Sequence, residues 1–201
     1  MDFNALSPNW DTDLRVKRAE AISAEIESYL GSGPLEMMEF GCGTGLISFH
    51  LKNKKAQFLL IDNSEGMIKE VEQKINESDL KNMKTYCGEL KDLETDTKFD
   101  VIYTSMVLHH IEDVQSTVNL LASHLKPNGK LIIVDLLPDD GTFHNHSETF
   151  KGHHGFSINE MKEYLEAASL QNISGRKFYS SYKMVDDMNH PYSLFSIYAT
   201  K

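Results

Sequence analysis

Cysteine, basic charge and long apolar runs are what this 201-residue chain has least of. No uninterrupted apolar stretch approaches the roughly 20 residues that span a bilayer, so no membrane partner is expected. Its two cysteines, Cys42 and Cys87, are too few for a disulfide framework, and a reducing cytoplasm fits that usage best. Lys and Arg number 20 against 30 Asp and Glu, a formal charge of −10 that disfavours partners bound through a phosphate backbone. DNA and RNA are therefore not expected as substrates. The opening residues, MDFNALSPNWD, show no basic segment followed by an apolar block, and no signal peptide is read there.

What remains has the composition of a soluble globular protein, 40% hydrophobic and 25% charged, at a length that suits one full domain. Residues 1–12 are polar and irregular apart from Phe3, Leu6, Pro8 and Trp10, the single tryptophan. From Asp13 the spacing of Ala19, Ile22, Ile26 and Leu30 predicts a helix that Gly31, Gly33 and Pro34 stop. Leu35 to Phe40 is apolar, too short for a helix, and suits a strand buried on both faces. Further strands are predicted at Ala56 to Ile61, Met83 to Cys87, Phe99 to Thr104 and Lys130 to Leu137, the last opened by the turn Pro127, Asn128, Gly129. Helices alternate with them, marked by Met67, Ile68, Val71 and Ile75, and by Val114, Val118, Leu121 and Leu125.

Such alternation predicts an α/β fold, a doubly wound Rossmann-like sheet, mostly parallel and covered on both faces. Residues 138–156 show no periodicity, and Ser157 with Glu160 then forms a capping box for a last helix carrying Ile158, Met161, Leu165 and Ala168. Segments from Arg176 and from Tyr192 read as an antiparallel strand pair at the sheet edge, which brings the total to seven strands. One domain is expected over 1–201: an N-terminal cap helix region at 1–33, a cofactor-binding core at 34–137, and a substrate-side loop, helix and strand pair at 138–201.

The stretch with the most specific chemistry is Met37 to Asp62, in which Gly41, Gly43 and Gly45 follow the first strand and Asp62 ends the second. A backbone without side chains can lie against a ligand at the carboxyl end of a parallel strand, and a carboxylate after the next strand can accept from two ribose hydroxyls. A nucleoside-bearing ligand is expected. The glycines are spaced GxGxG with Leu46 following, where a dinucleotide fingerprint reads GxGxxG, and no lysine follows as a P-loop requires. Nucleotide hydrolysis is thereby set aside and a nicotinamide-dependent oxidoreductase becomes the weaker alternative.

Five segments in register, EFGCGTGL from Glu39, LLIDNSEGMI from Leu59, GELKDLE from Gly88, FDVIYTSMVLHHIED from Phe99 and LKPNGKLIIVD from Leu125, resemble the successive motifs of class I S-adenosylmethionine-dependent methyltransferases. The closest likeness is to the small-molecule branch that carries LHH after strand four, over about residues 10–170. The resemblance implies that S-adenosylmethionine is the cofactor and that a methyl group passes to a small-molecule acceptor by in-line displacement. It places Gly41, Gly43 and Gly45 under the methionine part, Glu39 at its ammonium, Asp62 at the ribose and Asn63 and Met67 beside the adenine. Glu89, where the family more often has Asp, would meet the exocyclic amine with Leu90 nearby, and Ser105 with Met106 would border the methionine end. A non-catalytic cofactor-binding protein is the alternative from another class.

No catalytic residue is assigned, since displacement at a sulfonium needs alignment and exclusion of water more than it needs a base. On the substrate side the candidates are Trp10, within a segment expected to fold over the cleft, and His109, His110, His153 and His154. For His109 and His110 the structural reading is taken first, with one ring packed and one hydrogen-bonded to the loop. His144 and His146 fall in the same long segment as His153 and His154, but the spacing HxH and then HH matches no zinc pattern, so no metal is expected. Cys42 reads as a small filler of the turn rather than a nucleophile, with nothing basic beside it.

Overall fold

A strand that is apolar on both sides must be covered on both sides, and short apolar runs alternating with amphipathic helices meet that demand by a helix-covered parallel sheet. The computed structural model describes residues 3–51, 55–144 and 150–201. In chain order they form α1 (Phe3–Leu6), a 3-10 turn (Ser7–Asn9), α2 (Asp13–Glu27), β1 (Glu36–Phe40), α3 (Leu46–His50), β2 (Gln57–Asp62), α4 (Glu65–Glu77) and β3 (Met83–Cys87). There follow β4 (Phe99–Ser105), α5 (Val114–His124), β5 (Leu125–Leu136), α6 (Ile158–Ala167), β6 (Gln171–Val185) and β7 (Met188–Thr200).

All seven strands lie in one sheet in the order β3-β2-β1-β4-β5-β7-β6. The neighbours from β3 to β5 are parallel, and β7 runs antiparallel to both β5 and β6. Alternate side chains divide between two cores. Met38, Ile102, Leu131 and Ile133 pack under α5 and α6, whereas Met37, Val101, Tyr103, Ile132 and Val134 pack under α2, α3 and α4. The winding reverses between β1 and β4, which opens a crevice at their carboxyl ends.

Two details depart from the sequence pattern. The first 12 residues are not irregular: Asn4 Oδ1 accepts from Ser64 Oγ at 2.8 Å and from the Gly66 amide at 2.9 Å, and this docks α1 and its 3-10 turn on the start of α4. A tertiary contact supplies the order that such a short helix cannot supply alone. The turn at Pro127 to Gly129 lies within the bounds of β5 rather than before it. The register moves from Phe99↔Leu125 to Val101↔Lys130, so two steps on β4 match five on β5, and Asn128 takes φ 63°. The β6–β7 hairpin closes on Asp186 and Asp187, both at positive φ (49° and 60°), as a two-residue turn matching the strand twist requires. Among the described residues no helix is long and apolar enough to cross a membrane.

The hairpin is tied to α2 by one carboxylate. Glu25, 8% exposed, accepts from Arg176 through Nε at 2.9 Å and Nη2 at 2.8 Å, from Tyr29 at 2.8 Å and from Ser196 at 2.5 Å. Burial opposes its ionisation, but these donors prevail and hold the carboxyl below its ordinary range. Because the native value is lowered, the stabilisation is present above the unfolded value of about 4.5 and is lost as pH falls through the native one. Glu25→Ala is expected to lower unfolding stability by about 2–3 kcal/mol, since it strands buried donors. Arg176→Ala, at a half-exposed guanidinium, should cost less. Urea titrations at pH 7 and pH 4 check both values, with the Glu25→Ala deficit shrinking at the lower pH.

Candidate active site

The crevice holds a cavity of about 370 Å³. Its floor is the turn after β1, where Gly41, Gly43 and Gly45 take φ of 71°, 54° and 77°, a left-handed region that side chains disfavour. At Gly41 space is also decisive, because a Cβ would lie 2.3 Å from Val107 Cγ2. Asp62, at the end of β2, locks the turn: its Oδ2 accepts the Gly43 amide at 2.8 Å and its Oδ1 the Ser64 amide at 2.9 Å. Burial raises its affinity for a proton, opposed by the amides of Ser64, Gly43 and Asn63. The two amides leave further lone pairs on both oxygens facing the cavity that Asp62 lines.

Glu39, next to last in β1, is only 1% exposed. Its Oε2 accepts from the hydroxyls of Ser48 and Tyr103. Burial dominates all the same and pushes its carboxyl up to about 8. The acid therefore stands mostly protonated near neutral pH, at the edge of a cavity whose ligand could change that. Cys42 is buried, and burial together with Glu39 and Asp62 drives its thiol upward, away from a reactive thiolate.

Of the residues singled out in the sequence, Trp10, Glu39, Gly41, Gly43, Asp62, Asn63, Met67, Glu89, Ser105, Met106 and His110 line the cavity. Asn63 Nδ2 donates to Glu89 Oε1 at 2.9 Å, and both residues line the cavity. Ser105 Oγ is buried and has no hydrogen-bond partner among the described residues, a polar atom left for a ligand to satisfy. Met106 takes φ 59° at the end of β4, with its amide held by the Val134 carbonyl at 2.9 Å. Gly45 caps α3, and Leu90 packs into the core, 4% exposed, rather than at the cavity wall.

The histidines separate. His109 is buried, with Nδ1 2.5 Å from Asp135 Oδ1, so its partner lies on β5 rather than in the loop. His110 packs edge-on against Phe3 and Phe150, with ring centroids 5.6 and 5.5 Å apart. Burial, then neighbouring imidazoles, lower both His110 and His144 to about 4. His153 stands outside the cavity lining, its amide donating to the His109 carbonyl at 2.7 Å, and His154 is exposed. His146 lies outside the described residues.

Phe3, Arg15, Arg18 and Val107 also line the cavity and were not expected there. Arg15 lies over the Trp10 ring at 3.9 Å and donates to the Trp10 carbonyl at 3.0 Å. Both arginines sit on the polar stripe of α2, where sequence periodicity signals only solvent. Their charge beside two carboxylates was legible in type but not in position.

A family model described as a methyltransferase domain matches residues 33–183. An uncharacterized methyltransferase of Schizosaccharomyces pombe is 31% identical over 180 residues, covering 82% of this chain and 63% of that protein. A malonyl-[acyl-carrier protein] O-methyltransferase of Bacillus anthracis is 27% identical, covering 89% of this chain and 63% of that protein. The chain thus spans less than two thirds of the length of these relatives. Among solved structures, a SAM dependent methyltransferase from Aquifex aeolicus superimposes with a TM-score of 0.69 at 20% identity, over 98% of this chain and 97% of that one. A Haemonchus contortus phosphoethanolamine N-methyltransferase 2 in complex with S-adenosyl-L-methionine gives 0.73 at 12%, over 90% of this chain and 52% of that one. These two share the fold.

The contact at Gly41 predicts a partial rescue. Gly41→Ala should destabilise the protein by about 1–3 kcal/mol through the clash and the left-handed backbone together. Val107→Ala in the same chain removes the nearest atoms but not the backbone strain. The double variant should therefore recover only part of the loss in urea midpoint, relative to Val107→Ala alone.

Proposed function

The chain belongs to the methyltransferase domain family, and on that premise we propose that it is an S-adenosylmethionine-dependent enzyme methylating a small-molecule acceptor. The observation that carries the reading is the pair of carboxylates on adjacent strands, Glu39 on β1 and Asp62 on β2, at a cavity floored by the glycine turn. Asp62, anchored by two amides, is suited to accept from both ribose hydroxyls, and Asn63 with Glu89 to border the adenine. Glu39 complements an ammonium, while Arg15 and Arg18 supply positive charge for a carboxylate. An amino-acid end with both charges fits that distribution. Ser105 Oγ offers an unused donor beside it.

When bound, S-adenosylmethionine supplies an electrophilic methyl on a sulfonium. The chain's part is to hold both reactants in line and keep water out. Phe3 and Trp10, 5.7 Å apart in an edge-to-face pair, wall the cavity on the side that the docked N-terminal segment covers. The acceptor is proposed as a small metabolite or a carrier-borne group, a range spanned by relatives named for malonyl-[acyl-carrier protein] and for ubiquinone biosynthesis.

Calorimetry with S-adenosylhomocysteine and with NAD tests the reading: selective binding of the first is expected, and selective NAD binding overturns it. Asp62→Asn should weaken S-adenosylhomocysteine binding by about 10- to 100-fold, since hydrogen bonds to a charged acceptor are worth roughly 1.5–3 kcal/mol.

Glu39 makes a second, independent prediction. Its raised native value, about 8, means the free protein holds its proton at pH 7, and an ammonium beside it favours release. Binding at pH 7 should discharge close to one proton, read from calorimetry in buffers of different ionisation enthalpy. Glu39→Gln should abolish that release.

A further inference from the structure

We propose that His109, His110 and His144 bind a divalent transition-metal ion, Zn²⁺ or one of similar ligand preference, with a coordination position left open toward the cavity. The three side chains each offer a ligand atom, and these atoms all lie within 4.8 Å of one another. Two of the residues follow β4 and the third stands in the 3-10 turn Thr142–His144, so the fold brings them together from separate segments.

Two features favour an ion over a chance cluster of imidazoles, the carboxylate behind His109 and the partnerless ring nitrogen of His144. Both oxygens of the buried Asp135 already accept backbone amides, so the Nδ1 of His109 is assigned as the donor to it and the Nε2 lone pair is left free. That carboxylate is itself held by the Leu136 amide at 2.7 Å and the His109 amide at 3.3 Å. A carboxylate behind a histidine is the support that metal ligands commonly have, fixing tautomer and ring direction. Next, His144 is 8% exposed and its Nδ1 is buried with no hydrogen-bond partner among the described residues. A buried ring nitrogen without a partner is costly unless something satisfies it. The His144 ring is stacked on Phe150 with centroids 3.7 Å apart and planes at 9°, while the His109 and His110 rings lie 4.1 Å apart.

Zinc–nitrogen bonds of about 2.0–2.1 Å in a tetrahedron would bring the ligand nitrogens to about 3.4 Å from one another. Binding thus draws together nitrogens that lie within 4.8 Å of one another. Three neutral imidazoles with an open fourth position form the donor set of a site that binds an exchangeable oxygen ligand and withdraws charge from it. His110 lines the cavity, which puts the open position beside the space proposed for the acceptor. The use of the ion toward an acceptor oxygen rests on the methyltransferase reading, whereas binding of the ion does not.

The test is titration of the metal-stripped full chain with Co²⁺, followed by visible absorption, with Zn²⁺ as competitor. One equivalent should bind with the intense visible bands of a four-coordinate ion and be displaced by Zn²⁺. His144→Phe, which keeps a ring against Phe150, and His110→Phe should each weaken Co²⁺ binding by at least about tenfold at unchanged circular dichroism. Asp135→Asn should weaken it by about 10- to 100-fold. If His144→Phe does not fold, His110→Phe at its half-buried position decides the question. The proposal is overturned if neither ion binds stoichiometrically, if both phenylalanine variants bind within about twofold of the parent, or if His153→Ala or His154→Ala removes the site instead. S-adenosylhomocysteine calorimetry on the same preparations keeps the two readings apart. Cofactor binding without metal uptake overturns the metal site alone, and metal uptake without cofactor binding overturns the methyltransferase reading alone.

Discussion

The bond from the Gly43 amide to the Asp62 carboxylate joins the loop after β1 to the end of β2. It adds to the Gly41 and Cys42 amides, which bond the Ile61 carbonyl at 2.8 and 2.9 Å, so three bonds hold the turn to β2. Through the Gly43 bond, the carboxylate that faces the cavity also helps set the path of the cavity floor. The same carboxylate takes the Ser64 amide, and Ser64 in turn caps α4 and donates to Asn4. The N-terminal cover is thus linked to the glycine turn through three consecutive contacts, Gly43 to Asp62, Asp62 to Ser64 and Ser64 to Asn4. A change at Asp62 acts on binding, on the turn and on the cover at once, and measured effects there report all three together.

The carboxyl ends of β1 and β2 present two acids in unlike surroundings. Asp62 is stabilised as an anion by fixed amides that move with the backbone. Glu39 meets hydroxyls, whose protons can rotate, inside a core that disfavours charge. Backbone dipoles pointed at one carboxylate are in place before any ligand arrives, whereas the other needs a cation to become charged. The surroundings of Asp62 are therefore set in advance, whereas Glu39 changes its charge only beside a cation.

Most of the fold was legible because it rests on short-range pattern. Period-two and period-3.6 spacing marked the strands and helices, glycine and proline marked the breaks, and the acidic link Asp186, Asp187 marked the hairpin. The glycine turn and Asp62 were legible for the same reason, lying within one βαβ unit. The wall of the cavity was not. Trp10 was expected on that side, but Phe3 arrives with the segment that Asn4 docks on α4, a contact some 60 residues apart in sequence, and Arg15 and Arg18 arrive with α2. Leu90 opens a 3-10 turn (Leu90–Asp92) and packs into the core, a direction that spacing after a motif does not specify. The histidines failed as a sequence motif on the same ground: the meeting of His109 and His110 with His144 depends on the path of residues between 138 and 156, which carry no periodic signal.

Asp135 completes the comparison of buried acids. It lies on β5, as deep as Glu39, and its oxygens meet an imidazole and two amides. In a chain of net charge −10, each further buried anion is opposed both by desolvation and by the surrounding field. Keeping Asp135 next to His109 is hard to explain by stability alone, because a hydrophobic pair of similar volume would serve a core at least as well. What the pair does accomplish is to fix one ring nitrogen of His109 as a donor and release the other, beside two more imidazoles at the cavity edge. Of the three acids, the one on β2 holds the glycine turn, the one on β1 is kept from charge by its surroundings, and the one on β5 is paired with His109.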